Sequence, residues 1–441
     1  MKVNIETIVI YHIKITKEIH MDNIRRLIDY FESGCKKETE SYLGLELEHI
    51  ITDKGTNLSV DYYGEYGVEK ILEEMRPFFE DAVLSNGHLI GLESKDINIS
   101  LEPGAQLEIS ISKQLHIKNI EKIYAKFLAV ITPILDRWNY QLTYLGYHPR
   151  SKAEDRKLLP KDRYKYMDFH FQTAGTCGKN MMRGTAATQI SIDYKDEKDF
   201  VFKYQAACIL GPVFSLMTDN SPVFEGEIYP NHMLRQYIWK NVDLERPMLV
   251  PALLDRNFGF EEYAKFVYQI PQIIMIDEKN QVRYTRETAQ EIYREKSLEE
   301  KDMELILSMV FPDARLKTFL EIRVADSMPF PYVLSYAAFI KGLFRDTTQL
   351  KKLLRSFKIE SVYDIEQAKV ILSRQGYDGI IYGRKVTGIM QDCFQLAVDT
   401  LHPSEAGYLT ELKELTEQRR TLAEIYKEKE LCYAADRNEG N

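Results

Sequence analysis

Acidic, amide and hydroxyl side chains alternate with aliphatic ones in four short segments of the chain. The segments are residues 44–50 (GLELEHI), 106–112 (QLEISIS), 188–194 (TQISIDY) and 320–324 (LEIRV). A period of two residues predicts β-strands with one apolar face and one polar face. The polar faces carry Glu46, Glu48, Glu108, Gln189, Asp193, Glu321 and Arg323. Clustered carboxylates need a counter-cation, and their hard oxygen atoms favour Mg²⁺.

The alternative is an ordinary sheet face that contacts water, which is the simpler interpretation of any one strand. It is less favoured for four strands together, because Glu and Asp are poor strand residues and like charges on opposite strands destabilise pairing. No lysine occupies these polar faces. The sequence therefore predicts that the strands converge on one sheet, whose polar face is the floor of a metal site.

A tight turn precedes the second of these strands. Residues 97–112 (INISLEPGAQLEISIS) contain Pro103 and Gly104 between two alternating stretches. Proline presets the first central position of a turn, and glycine tolerates a positive φ at the second. We therefore expect a β-hairpin with the positive φ at Gly104.

Size, charge and cysteine content restrict the functional class. The 441 residues are 44% hydrophobic and 28% charged, as in an ordinary globular protein, and the net charge of −9 disfavours broad nucleic-acid binding. The longest apolar runs, such as residues 127–135, are too short to cross a bilayer, and the first residues lack a signal-peptide layout. The five cysteines are scattered and form no zinc motif. We expect a cytoplasmic protein with neither nucleic-acid nor membrane partners.

Helices are predicted between and after the strands. Their ranges are 21–31, 66–79, 117–138, 199–217, 233–239, 261–268, 286–295 and 299–309, with further strands at 87–92 and 140–147. Beyond residue 330 the segments read as helices. We therefore predict a catalytic domain at 1–330, a helical part at 331–432 packed on it, and a disordered tail at 433–441.

Residues 150–165 form a basic loop, with seven Lys or Arg against three Asp or Glu. Such a loop either holds phosphate or is a solvated run of charge. With the carboxylates and the isolated arginines it suits magnesium–nucleotide chemistry, in which the metal bridges phosphates and basic side chains neutralise the transferring phosphoryl group. Neither a Walker loop nor G-x-G-x-x-G is present.

The same residues lie in motifs that resemble the glutamate–cysteine ligases of the plant and proteobacterial type. In order, from about residue 40 to 330, the motifs are GLELEH, SLEPGAQLEIS, LGYHP, LPKDRYKYM, MMRGTAATQISIDY, DNSP, MLRQYIW, FGFEEY and FPDARLKTFLEIRVAD. The resemblance implies an α+β, glutamine-synthetase-like fold: a curved, mainly antiparallel sheet wrapped by helices. It also implies the ATP- and Mg²⁺-dependent joining of the glutamate γ-carboxylate to the cysteine amine, the first step of glutathione synthesis. The expected partners are small-molecule substrates (glutamate, cysteine and ATP), and the protein is expected to be a monomer or a weak homodimer.

The resemblance also implies roles for individual residues. Glu46, Glu48, Glu102, Glu108 and Glu321 are expected to bind Mg²⁺, with a turn residue as the alternative for Glu102. Lys161, Arg163 and Arg323 suit phosphates, and Arg323 is expected to be catalytic. Arg235, the second catalytic candidate, either binds a substrate carboxylate or forms a surface salt bridge. Gln189 and Asp193 either bind the cofactor or join neighbouring strands.

Some positions depart from the family pattern. Ser191 stands where Asn is common, Arg183 is displaced by one position, and residues 327–330 read SMPF in place of Gly-Gly-Pro-Trp. These departures leave the amine acceptor open. The alternatives are a related ligase with another acceptor and a non-catalytic binding protein that retains the fold.

Overall fold

One large β-sheet covered by helices organises the computed structural model, which describes residues 21–36, 41–246 and 248–439, without the side chains beyond residue 430. The strands are β1 (Leu43–Asp53), β2 (Asp81–Ser85), β3 (His88–Glu93), β4 (Ile97–Leu101), β5 (Leu107–Gln114), β6 (Tyr140–Thr143), β7 (Ala187–Ile192), β8 (Val223–Phe224), β9 (Glu227–Ile228), β10 (Ile274–Ile276), β11 (Val282–Tyr284), β12 (Ala314–Leu316), β13 (Leu320–Asp326), β14 (Ile380–Ile381) and β15 (Arg384–Lys385).

The helices lie between and after these strands. They are α1 (21–33), α2 (Val68–Met75), α3 (Ile117–Arg137), α4 (Asp162–Ala174), α5 (Gly178–Gly184), α6 (Glu197–Met217), α7 (Leu234–Lys240), α8 (Phe260–Gln269), α9 (Ala289–Ile292), α10 (Glu300–Leu307), α11 (Phe330–Arg345), α12 (Thr347–Arg355), α13 (Val362–Gln375), α14 (Val386–Thr400), α15 (Thr410–Glu417) and α16 (Leu422–Glu439).

The four acidic strands are neighbours in a nine-stranded sheet. Its order is β12-β13-β7-β1-β5-β4-β3-β2, with β6 paired to the far end of β1. Each pairing in this sheet is antiparallel. The predicted α+β architecture and the predicted convergence of the acidic strands are therefore confirmed.

The strand register brings the acidic side chains to one face. Glu46 lies opposite Gln189 on one side, and Glu48 lies opposite Glu108 on the other, while Glu321 lies opposite Ser191. The intervening aliphatic side chains are buried on the other face; they include Leu45, Leu47, Ile109, Ile190 and Ile322. Helices α3, α6 and α11 contact the sheet.

Helix α6 is apolar on nearly every side. By length and composition alone it could cross a membrane, but 78% of its most apolar window is buried inside the protein. Although only shorter apolar runs such as residues 127–135 are considered for membrane-spanning length from the sequence, its pattern predicts this helix at 199–217. Its burial is that of a core helix, with the sheet on one side and the C-terminal helices on the other.

The helical part that follows β13 shares its hydrophobic core with the sheet. Helix α13 also contributes a buried ion pair, in which the Lys369 ammonium lies 2.6 Å from Asp313 and 2.8 Å from Glu366. The predicted helices beyond residue 330 are present, interrupted by the short strands β14 and β15. Helix α16 continues to Glu439, within the segment 433–441 for which a disordered tail is predicted; residues 440 and 441 lie outside the described residues.

Replacement of Lys369 by methionine is expected to destabilise the whole chain by about 3 kcal/mol, because Asp313 would be left buried and unpaired. Denaturant unfolding measures the loss, and one cooperative transition should report it for sheet and helices together. The exposed Lys352 provides the control K352M, which we expect to be neutral. Equal stability of K369M and the wild type would contradict the integral role of α13.

The hairpin before β5 differs from the prediction in one detail. The positive φ falls on Ala105, at +68°, and not on Gly104. The Ala105 N–H donates to the Glu102 carbonyl at 2.8 Å, so the loop is a three-residue turn whose last residue is left-handed. Glycine is needed at 104 for space, since an added Cβ would lie 2.7 Å from the Arg183 carbonyl oxygen.

Several elements were not predicted, among them β2, α4, α5 and the short strands β8, β9, β10 and β11. Strand β2 and helix α5 are short, and α4 begins inside the predicted basic loop. The buried face of α4 includes Tyr164 and His170 beside Met167 and Phe171, so its apolar periodicity is weak.

Candidate active site

The centre of the polar face is a row of glutamates, formed by Glu46 and Glu48 on β1 and Glu108 on β5; we call it the glutamate row. The Glu48 carboxylate is 8% exposed and accepts hydrogen bonds from the Ala187 N–H at 2.8 Å and the Gln189 amide at 3.0 Å. Glu108, directly opposite, accepts from the Ser100 hydroxyl at 2.6 Å. The predicted residues Glu46, Glu48 and Glu108 are thus brought together by strand register.

Burial and mutual repulsion make these carboxylates hard to ionise. Burial, followed by the nearby charges of Glu321 and Glu108, raises the pKa of Glu46 to about 7. Burial and the charges of Glu108 and Glu48 raise the pKa of Glu102 to about 8. Such an environment favours the binding of a cation, because a positive charge removes the repulsion.

The donor chemistry of the row fits Mg²⁺. In the part of the chain that the structure describes, no three His, Cys, Asp or Glu side chains are placed to enclose a metal ion. Magnesium in phosphoryl-transfer sites is commonly held by one or two carboxylates, and phosphate and water complete its octahedron. The row is therefore suited to a nucleotide-bound Mg²⁺ and not to a preformed metal cage.

A basic group on β12 and β13 borders the row. The Glu321 carboxylate, which is fully buried, lies 2.8 Å from Arg315, 3.3 Å from Lys317 and 2.7 Å from Arg323. Although burial acts to raise the pKa of Glu321, these three cations hold it well below its usual range. Glu321 was predicted to be a metal ligand, but in this structure its oxygens are bound by the cations.

Gln189 connects the acidic and basic groups. Its side-chain oxygen accepts from Arg323 Nη1 at 2.5 Å, while its amide nitrogen donates to Glu48 at 3.0 Å. Both ends of the amide are therefore used between neighbouring strands, which supports the second of the two roles predicted for Gln189.

Arg235 on α7 lies beneath β13. Its guanidinium is 5% exposed and donates to the Arg323 carbonyl at 2.8 Å, so the alternative of a surface salt bridge is wrong. Among the residues that the structure describes, the buried Arg235 Nε has no hydrogen-bond partner. A buried guanidinium with unused donors is suited to a substrate carboxylate.

Lys161 and Arg163 lie beside Glu102, at the start of α4. Burial lowers the pKa of both side chains, and the Glu102 carboxylate partly opposes that shift. Arg163 donates to the Ser308 carbonyl at 3.2 Å, and its buried Nε has no hydrogen-bond partner in the described part of the chain. The Glu102 backbone therefore forms part of the turn before β5. Its side chain lies near the charges of Lys161 and Arg163.

The other basic residues of the loop are either buried in structural contacts or exposed to solvent. Arg156 is buried and donates to the carbonyls of Ser59, Val60 and Gly104. Lys152 and Lys157 are exposed. Of the two interpretations of this loop, phosphate binding therefore rests on Lys161 and Arg163 alone.

Asp193 is not brought to the glutamate row. It follows the end of β7, where burial raises its pKa and the lysines at 36, 113 and 203 oppose that shift. It lines a cavity of about 270 Å³ with Lys36, Asp199 and Lys203. Its predicted cofactor role has no support from its position.

Arg315, Lys317 and Asp326 were missed by sequence reasoning. The segment ARLKTFLEIRVAD forms a hairpin, in which Arg315 lies directly opposite Glu321. Placing a turn at Lys317–Phe319 would have paired these two residues. Asp326 ends β13, and burial raises its pKa to about 7 despite the opposing charge of Arg235.

The raised pKa values of Glu46 and Glu102 predict how the stability of the unliganded protein depends on pH. Between the ordinary value of 4.5 and the folded values of about 7 and about 8, the folded chain keeps protons that the unfolded chain releases. The stability that these groups contribute is fully present below pH 4.5 and is lost as the pH rises through 7 and 8. Thermal unfolding between these values should show a falling melting temperature.

Addition of Mg²⁺ and nucleotide should reduce that fall, because bound cations stabilise the ionised carboxylates. The variant E102Q should remove the part of the fall in melting temperature that lies between about pH 7 and pH 8. A melting temperature that rises between pH 7 and pH 8 would contradict the assignment.

A broad antiparallel sheet covered by helices, with glutamates and arginines side by side on its polar face, is the architecture of the glutamine-synthetase-like fold class. The chain belongs to glutamate–cysteine ligase family 2, whose sequence profile matches residues 42–387. The family predicted from the motifs is therefore confirmed.

Relatives extend over most of the chain. The glutamate–cysteine ligase, chloroplastic, of Medicago truncatula is 26% identical over 414 residues, which are 90% of this chain and 80% of that protein. The Arabidopsis thaliana protein of the same name is 27% identical over 411 residues, 90% and 78% of the two chains. The fold matches a crystal structure of a Francisella tularensis glutamate–cysteine ligase in complex with AMP, with a TM-score of 0.51, 10% identity, and coverage of 86% and 82%. This match confirms the predicted fold.

Proposed function

We propose that the protein joins the γ-carboxylate of glutamate to the amine of cysteine in an ATP- and Mg²⁺-dependent reaction. One observation carries the proposal: Gln189 connects Glu48 of the glutamate row to Arg323 across adjacent strands. The chain that contains this arrangement belongs to the glutamate–cysteine ligase family. The relatives named glutamate–cysteine ligase support the choice of substrates.

The chemistry requires activation of the carboxylate. A carboxylate resists attack by an amine, so its oxygen first takes the γ-phosphoryl group of ATP, and ADP leaves. The amine nitrogen then bonds to the carbonyl carbon, the carbon–oxygen bond to phosphate breaks, and the amine gives up a proton. The products are γ-glutamylcysteine, ADP and phosphate.

Glu46, Glu48, Glu102 and Glu108 would hold Mg²⁺, which when bound neutralises phosphate charge. The Arg323 guanidinium is held by Glu321 and Gln189 at the border of the row, where it can stabilise charge on the transferring phosphoryl group. Lys161 and Arg163 neutralise charge from the opposite edge, and Arg235 binds a substrate carboxylate. These residues position the reactants, and no covalent nucleophile is needed.

Release of ADP tests the proposal directly. Purified protein is supplied with ATP, Mg²⁺ and glutamate, and ADP is followed with cysteine and with a panel of other amines. Cysteine-dependent ADP and γ-glutamylcysteine support the proposal. Release only with another amine would assign a different acceptor. Silence with every amine, with no nucleotide binding, would favour a non-catalytic binding protein.

The cellular location and the assembly state complete the proposal. We place the protein in the cytoplasm as a monomer or a weak homodimer. Cys35, Cys177, Cys208 and Cys393 are free thiols, which suits a reducing compartment. The names of the relatives specify chloroplasts, so cell fractionation is the deciding measurement, and sedimentation analysis gives the assembly state.

A further inference from the structure

Strand β1 changes its neighbour at the residue that lies at the centre of the glutamate row. Its pairing with β7 ends at Leu47, and its pairing with β6 begins at Ile50. Glu48 and His49 therefore have a strand on the β5 side only. A backbone carbonyl at such a break needs another donor if it is buried.

The Ser327 hydroxyl supplies that donor. Its Oγ donates to the Glu48 carbonyl at 2.6 Å, and the serine is fully buried. The backbone of Ser327 is itself fixed, because its N–H donates to the Ala186 carbonyl at 3.0 Å and its carbonyl accepts from the Asn220 amide at 3.0 Å. Ser327 thus joins the end of β13 to the break in β1.

The Glu48 carbonyl can only accept, so the Ser327 hydroxyl is the donor, and two further side chains extend this contact into a chain of hydrogen bonds. The Tyr124 hydroxyl lies 2.8 Å from His49 Nε2, and His49 Nδ1 lies 3.3 Å from Ser327 Oγ. If tyrosine donates to Nε2, then Nδ1 carries the proton and donates to the serine, which is left to donate to Glu48. The Tyr124 ring is stacked on Phe330 at 3.9 Å, so the first donor is also held in place.

We propose that Ser327, oriented by His49 and Tyr124, is a positioning residue that holds the backbone of Glu48 so that its carboxylate meets the Mg²⁺–nucleotide complex. This inference rests on the proposed function. Within residues 327–330, which depart from the family pattern, Ser327 contacts the backbone of the row and Phe330 stacks on Tyr124. Ser327 acts through Glu48 and does not touch the substrates.

Calorimetric titration of Mg²⁺ in the presence of ADP tests the proposal without turnover. S327A should weaken Mg²⁺ binding about tenfold, because the buried Glu48 carbonyl loses its donor and the backbone that places the carboxylate is less firmly held. The loss should be paralleled by a higher Mg²⁺ requirement for ADP release in the assay above. Y124F keeps the stacked ring and should weaken binding less, in the same direction. The double variant should match S327A, since both act through one chain of hydrogen bonds.

Ser335 provides a matched control. It is also fully buried and accepts a hydrogen bond from the Leu412 N–H at 3.1 Å, at a distance from the row. S335A should lower the melting temperature but leave Mg²⁺ binding unchanged. Should S327A not fold, unaltered Mg²⁺ binding by Y124F would overturn the proposal.

The outcomes separate this inference from the proposed function. S327A that binds Mg²⁺ like the wild type, or S335A that loses Mg²⁺ equally, overturns the positioning role while wild-type turnover stands. A wild type that binds Mg²⁺ with ADP but does not join glutamate to cysteine overturns the proposed function alone. A wild type that does not bind Mg²⁺ overturns both.

Discussion

Replacing Glu108 with glutamine is expected to abolish metal-dependent ADP release while making the unliganded protein more stable. Glu108 lies opposite Glu48, and burial and the charge of Glu48 raise its pKa. Loss of one carboxylate from the row should lower kcat by about a thousandfold. Removal of the repulsion should raise the melting temperature at high pH by about 2 °C.

Opposite changes in activity and stability distinguish a functional carboxylate from a structural one. The glutamine amide can still accept the Ser100 hydroxyl bond, so local packing is preserved. Glu93, an exposed strand glutamate on β3, provides the control E93Q, which should alter neither property. Normal activity in E108Q would refute the metal-binding row.

Replacing Arg323 with lysine should have the second-largest effect. The Arg323 guanidinium contacts the Gln189 oxygen and the Glu321 carboxylate through one nitrogen, which leaves its remaining donors for a phosphoryl group. A lysine keeps the charge but lacks the planar fork. We expect kcat to fall about a hundredfold or more.

The fold should survive the R323K change, because Arg315 and Lys317 still neutralise Glu321. Circular dichroism and the melting temperature check this. R283K, at an exposed arginine paired with Asp277, is the matched control and should be fully active. A substrate KM that rises while kcat stays constant would assign Arg323 to ground-state binding and not to charge stabilisation.

The sequence was sufficient for the class of fold and for the acidic half of the site. Alternation in four segments located β1, β5, β7 and β13, and the poor strand propensity of Glu indicated that their polar faces meet. Periodicity alone does not predict the order of the strands, because the pairing of residue 46 with residue 189 depends on contacts between distant parts of the chain.

The basic half of the site was less predictable. Arg315 and Lys317 enter it through a hairpin whose turn, residues 317–319, lacks glycine and proline, so no turn signal marks it. Glu321 was expected to bind Mg²⁺ from its family motif, whereas two of its three ion-pair partners lie outside its strand, on β12 and in the following turn. Asp193 has the alternation of its strand but lies past the strand's end, where the lysines of other segments surround it.

The sheet order also bears on how the nascent chain folds. Strand β1 must remain without its β7 neighbour until residue 192 has been synthesised, and β7 remains without β13 until residue 326. During translation the growing polypeptide therefore presents open strand edges that can pair wrongly with other chains. Chaperone capture is expected to be concentrated in this interval, and the enzyme's yield in cells should depend on it.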